Sequence, residues 1–122
     1  MNRRAFLVSA VALAATALPT QAMAHHGWGG YDSTKVLTLN GVIEAAAYEN
    51  PHGELKVKVM QPGAKTWTVT LAPPSRMQAR GLPAGALKAG VAVTVVGYPN
   101  KTDPGEMRAE RITVAGKTVE LR

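Results

Sequence analysis

Between residues 53 and 72, apolar and polar side chains alternate one for one. In GELKVKVM, Leu55, Val57 and Val59 fall on one side and Glu54, Lys56 and Lys58 on the other. KTWTVTLA repeats the pattern, with Trp67, Val69 and Leu71 opposed to Thr66, Thr68 and Thr70. A repeat of two is the mark of a half-buried antiparallel strand. The QPGAK between these two runs reads as a turn, signed by Pro62-Gly63. Upstream, KVLTLNGVIEAAAYEN predicts a long strand in which Gly41 marks a bulge or bend. Downstream, GVAVTVVGYP predicts a buried, valine-rich fourth strand, and AERITVAGKTVEL a strand, an Ala-Gly turn and a further strand.

PPSRMQARGL breaks the alternation. Pro73-Pro74 end the third strand, Ser75 is a candidate helix cap, and the residues around Met77 and Arg80 fit one or two helical turns closed by Gly81. Three strands, a short helix and two or three further strands follow one another. That order predicts an all-β fold, a small OB-like Greek-key barrel of five to six strands with one short helix between strands three and four. An open sandwich of the same strands is the alternative. Neither an internal repeat nor a second domain is evident.

The chain opens differently. Arg3-Arg4 precede an apolar run over residues 5–18, followed by Pro19 and by Ala22 and Ala24 on either side of Met23. This is the order of an export signal with an A-x-A cleavage site. Paired arginines ahead of a mildly apolar, alanine-rich run resemble a twin-arginine signal, an ordinary secretory signal being the alternative. The run falls short of the roughly 20 residues of a membrane span. The reading is therefore residues 1–24 as a cleavable signal, 25–34 as a leader and 35–122 as the barrel. It implies a periplasmic protein with no stable membrane span after cleavage.

Of the 14 basic side chains, the signal removes two, which leaves twelve against eight acidic ones, a net +4. These charges are scattered and not interleaved with aromatics, and export separates the chain from nucleic acid, so no nucleic-acid partner is expected. The chain has no cysteine, which excludes disulfides, thiolate catalysis and thiolate metal sites.

Of the three histidines, His25 and His26 fall at the predicted mature N-terminus, and His52 lies in YENPHGELKV between the first two strands. A free N-terminal histidine offers its α-amine and a ring nitrogen to one metal ion. Proton competition is mild, since their pKa values are about 8 and 6.5. His52 is the natural third nitrogen. The T-shaped set suits copper(II) first and zinc second, as in a histidine brace. His26 is a second ring donor or a neighbour of the site, and Glu49 a weak ligand or an orienting group. The bland reading is a polar terminus and an ordinary NPHG turn, with Gly53 at positive φ and His52 at its tip. Met60, Met77 and Met107 read as packing residues. Trp28 and Tyr31 are expected to pin the leader to the barrel.

No catalytic set emerges. Ser33 and Ser75 lie in turn or cap contexts, and Glu44, Glu49 and Glu54 have no sequence reason to pair. The glycines form no phosphate loop. The expected function is metal binding by an exported barrel, with an envelope redox or metal-handling protein as partner. A partner- or ligand-binding module without metal is the alternative.

HHGWGGYD, YENPHGELKV, TWTVTLAPPSRMQARG and VTVVGYPNKTDPGEMRAERITV together resemble a family of small exported bacterial proteins catalogued as a domain of unknown function. The match falls on His25, His26, Tyr31, Asp32, Asn50, Pro51 and His52. Gly27 departs from the serine more usual there. The resemblance implies an exported barrel and leaves its chemistry open.

Overall fold

The computed structural model describes residues 27–122. The predictions made for Arg3, Arg4, Ala22, Ala24, His25 and His26 lie outside the described residues.

Six strands carry the fold: β1 (Leu37–Ala47), β2 (Glu54–Val59), β3 (Lys65–Thr70), β4 (Ala92–Pro99), β5 (Glu106–Val114) and β6 (Lys117–Glu120). Helix α1 (Pro74–Ala79) and a 3-10 turn (Ala84–Ala86) lie between β3 and β4. The sheet order is β3-β2-β1-β4-β5-β6, and a parallel pairing of Thr68, Val69 and Thr70 with Glu106, Met107 and Arg108 joins β3 to β5. That pairing closes five strands into a barrel, with β6 as an extra strand on β5. The fold is a small OB-like barrel, and closure rules out the open sandwich.

Alternation fills the barrel. Leu55, Val57 and Val59 from β2 meet Val69 from β3, Val93 and Val95 from β4, and Met107, Ala109 and Ile112 from β5. Met77 of α1 is fully buried and plugs this core. The Tyr48 hydroxyl, 2.6 Å from the Leu82 carbonyl, ties the end of β1 to the segment after the helix.

Bulges bend two strands. Glu44 of β1 is left out of the β1–β2 ladder, between Ile43 paired with Val57 and Ala45 paired with Lys56. Glu110 of β5 is left out in the same way between the Val96–Arg111 and Gly97–Ala109 pairs. An extra residue flips the facing of everything beyond it. Burial on β5 accordingly steps from Met107 and Ala109 to Ile112 and Val114.

Several sequence expectations change. The β1 bulge falls at Glu44, not Gly41. Gly41 is required because a Cβ there would strike the Lys58 carbonyl on β2. Gly53 does not adopt positive φ; it is buried, and a Cβ on it would lie 2.9 Å from Met77 Cε and 3.3 Å from the Ala47 carbonyl. Its role is close packing under the helix. Ser75 caps nothing: the N-cap is Pro73 and Pro74 takes the first helical turn, where its missing N–H costs no bond. Strand β5 begins at Glu106, three residues before the expected start.

Candidate functional site

The leader crosses the barrel as a strap. Tyr31 forms an antiparallel bridge to Asn100 just beyond β4. The Asp32 amide donates to the Pro99 carbonyl and the Lys101 amide to the Gly30 carbonyl, both at 2.9 Å. These bonds extend the sheet by one short rung.

Under the strap lies the outer face of β5. Met107 and Ala109 point into the core, so Glu106 and Arg108 point outward by alternation. Both meet the leader. The Tyr31 hydroxyl donates to Glu106 Oε1 at 2.6 Å, and the Thr70 hydroxyl donates to the same oxygen at 3.0 Å. Asn100 Nδ2 donates to Oε2 at 3.0 Å. Trp28 packs edge-on against Tyr98, and the guanidiniums of Arg108 and Arg122 lie 4.6 and 4.5 Å from its ring centroid. Arg108 also donates to the Gly27 carbonyl at 3.1 Å. Thr70 and Arg108 are the buried polar side chains among the described residues, and both contact the leader, Thr70 through Tyr31 and Arg108 through Gly27 and Trp28.

The electrostatics follow from this cover. Burial, then the hydrogen bond to Glu106, pushes the Tyr31 phenol above its ordinary pKa. Burial, then repulsion from Arg76 and Arg122, lowers that of Arg108, while Tyr31 opposes the change.

Beside the strap opens a cleft of about 470 Å³. Gly30 and Tyr31 of the leader line it, together with His52 of the β1–β2 connection, Glu54 at the start of β2, the 100–102 segment and Glu106. His52 is half-buried, and its Nδ1 lies 3.1 Å from the Gly53 carbonyl. A carbonyl only accepts, so this hydrogen bond requires the proton on Nδ1, and in the neutral ring the lone pair is then on Nε2. A backbone carbonyl fixing one ring nitrogen is a common support for a metal-binding imidazole.

Of the residues singled out in the sequence, the cleft brings together Tyr31 and His52. Trp28 anchors the strap outside the cleft lining, and Glu49 is exposed and also not on the lining. The carboxylates that do line it are Glu54 and Glu106. Glu106, Thr70 and Asn100 were not singled out: Thr70 reads as solvated on the outer face of the third strand, and Asn100 and Glu106 fall in the connection expected between the fourth and fifth strands. Among the described residues, no group of three or more histidines, cysteines or carboxylates is arranged to hold a metal ion.

A family model described as a family of unknown function, DUF6152, matches residues 12–108. The chain belongs to this family. The match contains the strap and every residue lining the cleft, and reaches β5 as far as Arg108. No curated protein matches the chain.

Proposed function

We propose that this DUF6152 member is exported by a twin-arginine-like signal, is processed before His25, and binds a transition metal in the periplasm. Copper is the first candidate and zinc the second. The donors are the new N-terminal amine and ring of His25, with His26 beside them, and the His52 imidazole. No catalytic role is proposed. The metal is held for exchange with an envelope redox or metal-handling protein.

One observation carries the reading. The leader is strapped to the barrel so that Gly30 and Tyr31 share a cleft with His52. His25 lies two residues before Gly27, whose carbonyl Arg108 holds, so its reach beyond that anchored point is at most about 7 Å for an extended chain. The tautomer implied by the Gly53 carbonyl also suits His52 as a ligand.

Copper titration against a competing chelator tests the proposal on the processed protein, an H52A variant and a form with one glycine added ahead of His25. Tight one-to-one binding, weakened at least about a hundredfold in both altered forms, is the expected result. Equal affinity in all three would refute it.

A second reading has its own support. The cleft lies between the β1–β2 and β4–β5 connections, where OB-type barrels take oligomeric ligands. On that reading the protein is a metal-free envelope binding module, and the titration gives no tight copper binding in any form.

A further inference from the structure

Gly53 fixes the facing of its two neighbours. Its amide donates to the Ala72 carbonyl at 2.9 Å, and its carbonyl accepts from the Leu71 amide at 2.8 Å. The chain is thus already paired at Gly53, one residue before β2 begins. The side-chain position of Gly53 faces Met77 and Leu71 in the core. By alternation, His52 and Glu54 both turn to the outer face. Positions two apart on one face lie roughly 6.5 Å from each other, and their side chains can converge on one ion.

The β2–β3 register agrees. Glu54 pairs with Thr70, and cross-strand partners share a face. Thr70 is the hydroxyl that reaches Glu106. His52, Glu54, Thr70 and Glu106 accordingly line one cleft.

The two carboxylates of that cleft are not equivalent. Glu106 is engaged at both oxygens, by Tyr31 and Thr70 at Oε1 and by Asn100 at Oε2. Glu54 meets the Lys56 ammonium at 3.5 Å, with the two side chains 41% and 45% exposed. Lys56 makes its shorter bond, 2.7 Å, to Thr68. An exposed ion pair of this kind holds a carboxylate weakly, and an ionised carboxylate has about four lone-pair sites. Glu54 therefore keeps oxygen capacity for a cation. With Glu54 and Glu106 against Lys101, the lining is net negative in a chain whose overall charge is +6. Glu49, five positions earlier, is exposed and off this lining.

We infer that Glu54 is the oxygen ligand of the metal site, beside the His25 amine and ring and the His52 imidazole. The inference rests on the metal reading above and adds a preference for one oxidation state. A hard carboxylate oxygen suits copper(II), whereas copper(I) prefers softer donors. Loss of Glu54 should therefore weaken one oxidation state and spare the other.

The test titrates the processed protein with copper(II) and with copper(I) against competing chelators, and records the copper(II) EPR spectrum. E54Q, E49Q and H52A are compared with the native sequence. E54Q should weaken copper(II) at least about tenfold and change its EPR spectrum, while copper(I) stays within about twofold. E49Q should leave all three readouts unchanged. If H52A loses copper(II) and E54Q does not, the inference is overturned and the metal reading stands. An equal fall for both oxidation states in E54Q also overturns it, because that is the mark of a displaced His52. Absence of one-to-one copper binding by the native sequence overturns both.

Discussion

The Tyr31 hydroxyl sits 2.6 Å from Glu106 Oε1, a bond spanning 75 residues that fastens the leader to the first residue of β5. Glu106 also accepts from Thr70 and Asn100, so one carboxylate joins the leader, β3 and the end of β4. Replacing Tyr31 with Phe removes one charge-assisted hydrogen bond and leaves the ring in place. A loss of about 1.5–3 kcal/mol is expected from denaturant unfolding. Hydrogen exchange at Asp32 and Lys101, whose amides hold the rung, should accelerate first. Unchanged exchange there would mean the strap does not depend on this bond.

Alkaline pH probes the same bond. The Tyr31 phenol lies above its ordinary 10.0, first through burial and then through Glu106. Below pH 10 the phenol is protonated in both folded and unfolded chains, and its contribution is fully present. Above that, the unfolded chain loses the proton first, so stability falls as pH rises through the folded pKa. Tyr48 and Tyr98 are raised as well and add to the slope. Y31F should therefore flatten the loss of Tm above pH 10 without abolishing it.

Trp28 secures the other end of the strap. W28A removes the edge-on contact with Tyr98 and both guanidinium contacts, for an expected loss of about 2 kcal/mol. W28F keeps an aromatic face and should recover about half of that. If the leader orients the metal donors, W28A should also weaken copper although no proposed ligand is touched.

Two glycines give a sharp contrast. At Gly97, beside the β5 bulge, a Cβ would run into the main chain of Arg108 and Ala109, which cannot move without breaking the barrel. At Gly63 in the β2–β3 turn a Cβ meets nothing within 4 Å. G97A should cost more than about 3 kcal/mol or prevent folding, and G63A should stay within about 0.5 kcal/mol of the native protein. Thermal melts of the two variants decide it.

Strands β2 and β3 were legible because each wrote its facing in its own local alternation, as in Leu55, Val57 and Val59, whereas the valine run of β4 read as wholly buried and in fact alternates. The bulges at Glu44 and Glu110 were not, since a bulge exists only relative to a partner strand. Gly53 read as a turn glycine because PHG looks like a turn, while its cause is Met77, 24 positions on. Glu106 and Arg108 fell ahead of the expected start of the fifth strand, so their place on its outer face was not legible. Only the leader, far away in sequence, turns that face into the floor and flank of a site. His52 was legible for a different reason, as a histidine that no core pattern called for.

Cleavage before His25 and a metal held there together with His52 are the two parts of the proposal above. A native mass spectrum of the protein recovered from the periplasm of its own host reads both at once. The account predicts a species that begins at His25 and carries one copper ion. A metal-free species, or one that begins elsewhere, would contradict it.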